Sequence, residues 1–272
     1  MKNQIVLLFA LIGAAPLFAN AQWAIYHDPT IPRTKDGKPN LAAPMPRLNG
    51  KPDLSGIWEA ESAPVSEIKQ FLLPGGINGF GEDLPTKYFF SVFFDYPFGQ
   101  EPIRPEVRAQ LAKGPAGPPS LCPLPTLPLQ GLVPAPFKIV QTPRLTMVLY
   151  EAETVFRQIF SDGRALPVDP TPSWLGYSVG KWMGDAFVVE TMGFNDKAPL
   201  DALGHPRSEA LRLTETFRRR DFGHMDAQIT IDDPKTYTKP VTILVKYRLL
   251  PDTELLESFC NENEQDAAHF PK

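Results

Sequence analysis

The sequence predicts a mostly β protein, an antiparallel meander closed into a barrel or a sandwich. From residue 137 onward, short runs of alternating apolar and polar residues are separated by Asp-Gly and Gly-Asp turns, the punctuation of hairpins. Proline makes up 31 of 272 residues, too many for a mainly helical chain. A content of 43% hydrophobic and 21% charged residues is that of a folded domain with its own core. The 27 basic and 31 acidic residues give 27 − 31 = −4. A mildly acidic chain argues against a phosphate-binding surface, so no nucleic-acid partner is expected.

Residues 1–21 read as a secretory signal peptide. Lys2 supplies the positive start, Ile5 to Phe18 the apolar stretch, and Ala19-Asn20-Ala21 the small-residue cleavage site. The expectation is an exported protein, periplasmic or secreted. Its mature chain starts at Gln22 and carries 26 − 31 = −5. No later stretch has the apolar length of a membrane span. Export makes a disulfide between Cys122 and Cys260 the expected state of the two cysteines.

Residues 22–53 carry Pro29, Pro32, Pro39, Pro44, Pro46 and Pro52 and read as an extended arm. Residues 54–272 read as one β domain with an aromatic and proline-rich insertion over 60–135. Within it, Pro105 to Ala112 is the helical signal, with proline at the start. Leu121, Leu124, Leu127, Leu129, Leu132 and Val133 turn the proline run into a loop packed on a body. Nine aromatic residues lie between Phe71 and Phe98, after glycines at 75, 76, 79 and 81, and read as a lid or partner surface.

The predicted strands are Phe137–Gln141, Leu145–Tyr150, Val155–Phe160, Tyr177–Trp182, Ala186–Thr191, Glu209–Arg219, Met225–Ile231, Val241–Leu249 and Glu254–Phe259. Period-two alternation puts Leu211, Leu213, Glu215 and Phe217 on one face. Glu215 is thus a carboxylate in an apolar row, costly unless paired. Arg157 stands in the same position between Val155 and Ile159, so the two are expected to meet across the interior. Arg218-Arg219-Arg220 reads as a solvated strand end beside Asp221.

Several of these segments also form a recognisable set. Asp53-Leu54-Ser55-Gly56-Ile57-Trp58, Phe156-Arg157-Gln158-Ile159-Phe160 with Asp162-Gly163-Arg164, and Trp174-Leu175-Gly176-Tyr177-Ser178 belong to it. So do Gly204-His205-Pro206 with Ser208-Glu209, and Asp233 to Pro240. Together they resemble a large family of secreted bacterial proteins of uncharacterised function, a resemblance that implies no established activity. Gly56-Ile57-Trp58 ahead of a meander also resembles the opening of lipocalin-like barrels, which implies a lipocalin-like barrel here. Against the family pattern the insertion is unusually aromatic, and Pro199 stands where an aromatic residue is expected. Both departures leave the substrate open.

No Walker A, GxGxxG, HExxH or GxSxG motif is present. His205, with Asp201 four residues before it, is the candidate general base in a loop from Gly193 to Ser208. The candidate catalytic set is His205, Asp201, Arg157 and Glu215. Trp174, Tyr177, Arg164, Phe90 and Phe94 are the candidate ligand-binding residues. The spacing of His205, Asp201 and Glu209 fixes no full metal-ligand set, so no metal and no cofactor are expected. The site is expected at one mouth of the barrel, rimmed by that loop and covered by residues 71–98. Three functions follow. One is a cofactor-independent lyase, isomerase or hydrolase acting on a small, partly apolar substrate. The others are a periplasmic carrier of an apolar ligand and an interaction module.

Overall fold

Alternation runs through every long strand, and in the computed structural model it becomes the inner and outer faces of a barrel. The structure describes residues 27–68, 86–112 and 125–259. Cys122 and Cys260, the signal segment and the glycine-rich start of the insertion lie outside the described residues. Two short strands, β1 (Arg47–Leu48) and β2 (Lys51–Pro52), pair in the arm. The barrel strands are β3 (Gly56–Ala60), β4 (Phe137–Gln141), β5 (Leu145–Tyr150), β6 (Phe156–Phe160) and β7 (Tyr177–Met183). β8 (Ala186–Met192), β9 (Arg212–Arg219), β10 (His224–Asp232) and β11 (Val241–Leu249) complete it. Among the described residues these nine strands close in sequence order, β11 returning to β3 through Tyr247 opposite Ala60 and Leu249 opposite Trp58. The molecule is therefore mostly β, with a closed barrel of lipocalin-like form.

One junction departs from a pure meander. β6 and β7 pair in parallel, through Ile159 opposite Ser178 and Phe160 opposite Val179. Parallel neighbours require the chain to travel back before the second strand starts. Residues 161–176 make that return, with turns at Asp162-Gly163 and prolines at 167, 170 and 172. The expected strand Glu254–Phe259 does not form. Only an isolated bridge, Ala152 to Ser258, occurs there. Its alternation is weak, and the closed barrel offers no free edge to add to.

The interior is filled by side chains. Leu213, Phe217, Ala227, Ile229, Ile243, Val245 and Tyr247 are buried, as the alternation predicts. Trp58 is fully buried, its indole N–H donating to the Leu54 carbonyl at 2.9 Å. A barrel of about eight strands is just wide enough for side chains to fill.

The two ends are finished differently. The β8–β9 and β10–β11 loops share one end with the insertion, which plugs it. There the Ala202 and Leu203 amides donate to the Phe89 and Phe90 carbonyls, and Arg104 N–H donates to Thr236 O. The predicted helix is present as Pro105–Leu111. Leu127, Leu129, Leu132 and Val133 are buried, so the described part of the proline run is a packed loop. At the other end the arm crosses the β9–β10 turn, with Phe222 and Gly223 amides donating to Ala43 and Leu41. Among the described residues no helix is long and apolar enough to cross a membrane.

Gly180 tests this packing. An added Cβ would lie 2.4 Å from Phe187 Cζ and 2.9 Å from Ile159 Cγ2. Gly180→Ala is expected to destabilise by about 1–3 kcal/mol, the usual cost of overpacking, as read from urea unfolding. A neutral result would mean that the β7–β8 wall is loosely packed.

Candidate functional site

Three groups of functional side chains occupy three separate places. The first is inside the barrel. Arg157 on β6 and Glu215 on β9 both face inward and form a two-pronged pair, with Nη1 to Oε1 at 3.1 Å and a shorter contact between Nη2 and Oε2. The remaining donors are also met: Nε reaches Ser178 Oγ at 2.9 Å and Nη2 reaches Thr191 Oγ1 at 2.7 Å. Burial alone would depress the guanidinium, but Glu215 and Tyr150 hold it above the ordinary arginine value. Burial, opposed by the Arg157 charge, pushes the Tyr150 phenol up to about 12. Burial and then the Glu215 charge push Tyr247 well above its usual value. The gap beside this group leaves about 20 Å³ open to water, room for about one molecule. The pair is thus a dry, satisfied cross-brace, and the space around it does not admit a substrate.

The second group is the plugged mouth. His205 and Asp201 meet, Nδ1 to Oδ2 at 2.7 Å. Asp201 is fully buried and also accepts the Val92 amide at 2.9 Å and the His205 amide at 3.2 Å. The His205 ring sits edge-on to Phe93, with centroids 4.8 Å apart, and Phe93 packs on Tyr237. Burial, with Asp201 and Asp233 nearby, raises the Tyr237 phenol, which donates to Pro206 O. The loop and the insertion come together as the sequence predicts, but Phe93, Leu200 and Tyr237 fill the junction. Asp201 therefore ties plug to loop, with His205 as its partner. Phe90 is buried in this plug, and Phe94 packs against the core from its edge. Glu209 is exposed. Among the described residues no three or more of His, Cys, Asp and Glu gather as a metal site.

Arg164 and Tyr177 also meet, but outside. Arg164 grips Asp162, stacks 3.9 Å over Phe160 and donates to the Tyr177 hydroxyl at 3.0 Å. Trp174 is partly exposed, and its carbonyl accepts from Arg207 at 3.1 Å. These residues brace the 161–176 return and do not join the His205 group.

The third place is a groove at the arm end, of about 510 Å³. Its walls are the arm at Asp28, Ile31 and Pro46, the strands β3 and β4 at Ile57 and Val140, and the stretch Leu249 to Glu254. This volume is within the range of small-molecule pockets, about 300–1,000 Å³. Arg219 forms part of it. Its side chain is buried, donates to Asp53 O at 2.5 Å and to Asp221 O at 3.1 Å, and lies over the Trp58 ring at 4.9 Å. Burial pulls its pKa down to about 10. The expectation of a solvated Arg218–Arg220 strand end thus fails for Arg219. Extending the inward row 213, 215, 217 by two residues would have placed it inside. Arg207 was likewise missed. It is buried in a loop and bonded to Asn195 and Thr126, with no periodic signal to mark it. The groove itself joins residues far apart in the chain, so no local motif announces it.

No family model matches the chain, and neither a curated protein nor a solved structure matches it.

Two outcomes test the interior. Glu215→Leu strands a buried guanidinium and should cost about 3–5 kcal/mol, while Arg157→Met with Glu215→Leu should return to within about 1 kcal/mol of the parent. A double variant as unstable as the single would assign the stability to the pair's attraction itself. The second concerns alkali. Tyr150 is raised in the fold from the ordinary 10 to about 12. Its contribution is complete below pH 10 and is lost as pH rises toward 12, because the unfolded phenol ionises first. Tyr150→Phe should therefore flatten the alkaline fall in melting temperature, and an unchanged slope would contradict this.

Proposed function

We propose that the protein is exported and binds a small, partly apolar molecule in the arm-end groove. The observation that carries this reading is the groove itself. It combines ligand-sized space with apolar walls from Ile31, Ile57, Val140 and Phe222 and a few polar groups at its margin. Such walls with sparse polar groups are the usual make-up of a small-molecule site. The barrel interior holds space for about one water, and the His205 junction is filled by buried side chains. Binding is thus favoured over catalysis by His205, whose contacts hold the plug. Export rests on residues 1–21 and on the family resemblance of the later motifs.

The neutral fluorophore N-phenyl-1-naphthylamine supplies the test. It should bind with saturable enhancement at one site. Val140→Trp, at a half-exposed wall position, should weaken binding at least tenfold, about 1.4 kcal/mol, at unchanged melting temperature. His205→Ala should lower the melting temperature but leave affinity within about threefold, under ~0.7 kcal/mol. The opposite pattern, His205→Ala abolishing binding and Val140→Trp leaving it intact, would move the site to the plugged mouth. N-terminal sequencing of the exported protein should begin at Gln22.

A further inference from the structure

The groove has a charge asymmetry that bears on what it takes, and the inference rests on the binding reading above. Its lining carries Asp28, Asp53, Asp252 and Glu254 against Lys138 and Arg219. Two of these six are already neutralised locally. Asp252 pairs with Arg33 at 2.5 Å, which holds its carboxyl below the usual range. Arg219 directs its donors at the carbonyls of Asp53, Asp221 and Phe222, and its face is covered by Trp58 and Phe222. It has no geometry left for a ligand anion.

The other four are lopsided. Among the described residues, Asp28, Asp53 and Glu254 make no ion pair, and Lys138 is the one cation facing them. Asp28 and Asp53 each accept a backbone amide two residues on, from Thr30 at 2.8 Å and Ser55 at 2.9 Å, which fixes their carboxylates in place. Low-dielectric walls concentrate the field of such groups in the cleft between them. A chain with formal charge −4 adds to that field.

We propose that the groove selects a cationic amphiphile: an amine or quaternary ammonium carried on a short apolar body. The apolar part would lie along Ile57 and Val140, and the cation toward Asp53 and Glu254.

Two probes with the same chain and opposite charge separate this from general apolar binding. Decyltrimethylammonium and decyl sulfate, below micelle-forming concentrations, are competed against bound N-phenyl-1-naphthylamine on the full chain. The ammonium should displace it at a concentration at least tenfold lower. Added salt should shrink that preference, since partly exposed charges are screened. Asp53→Asn with Glu254→Gln should reduce the preference below threefold and leave the neutral probe's affinity unchanged. Asparagine keeps an acceptor for the Ser55 amide, so the fold at this turn is preserved. Equal displacement by both probes, with Val140→Trp still removing binding, overturns the charge inference and keeps the groove. Displacement by neither, or binding indifferent to Val140→Trp, overturns both.

Discussion

Arg157 reaches across the barrel from β6 to Glu215 on β9, and the surrounding strands are arranged to keep that pair dry and satisfied. A buried charge without its partner is among the costlier defects a core can hold. The pair therefore fixes register. A one-residue slip of β9 would turn Glu215 outward, bring Thr214 and Thr216 inward, and leave Arg157 alone. Ser178 and Thr191, opposite each other on β7 and β8, complete the guanidinium's partners and tie in the parallel junction, the shortest pairing around the barrel. Filling the space with Tyr150, Tyr247 and Phe217 excludes water from the pair, and that filling also denies the interior to a ligand.

With the interior occupied, function moves to the ends. The insertion closes one end by packing Phe93 and Leu132 over the barrel and tying its backbone to Asp201 and to Tyr247, whose hydroxyl donates to Gly131 O at 3.0 Å. The arm closes the other end less completely. It is anchored by Arg219 below and by Leu41 against Gly223, where even a Cβ would approach Leu41 to 2.4 Å. Between arm, β3–β4 wall and the stretch after β11, the groove is left open.

Much of this was legible in the sequence, and the reasons differ by element. The β9, β10 and β11 faces and the Arg157–Glu215 encounter follow from period-two alternation, because both charges interrupt apolar rows. The lipocalin-like barrel followed from the meander and from Gly56-Ile57-Trp58. The parallel β6–β7 junction was not legible, since pairing direction depends on where residues 161–176 travel and not on either strand. Pairing His205 with Asp201 was legible from spacing, but its role was not. Whether a loop histidine faces a cavity or a packed aromatic depends on Phe93, far away in the chain. Arg219 was within reach of the same alternation that found Glu215. The groove was beyond reach, because Asp28, Val140 and Glu254 converge only when the barrel has closed.

The claim on which the account turns is the location of the site, and amide shift mapping of the full chain during titration with N-phenyl-1-naphthylamine tests it directly. The account predicts shifts concentrated at Asp53 to Ile57, Lys138 to Val140 and Leu249 to Glu254, with Val92 and residues 201–207 unmoved. Shifts centred on Val92, Phe93 and His205, with the arm-end residues silent, would contradict it.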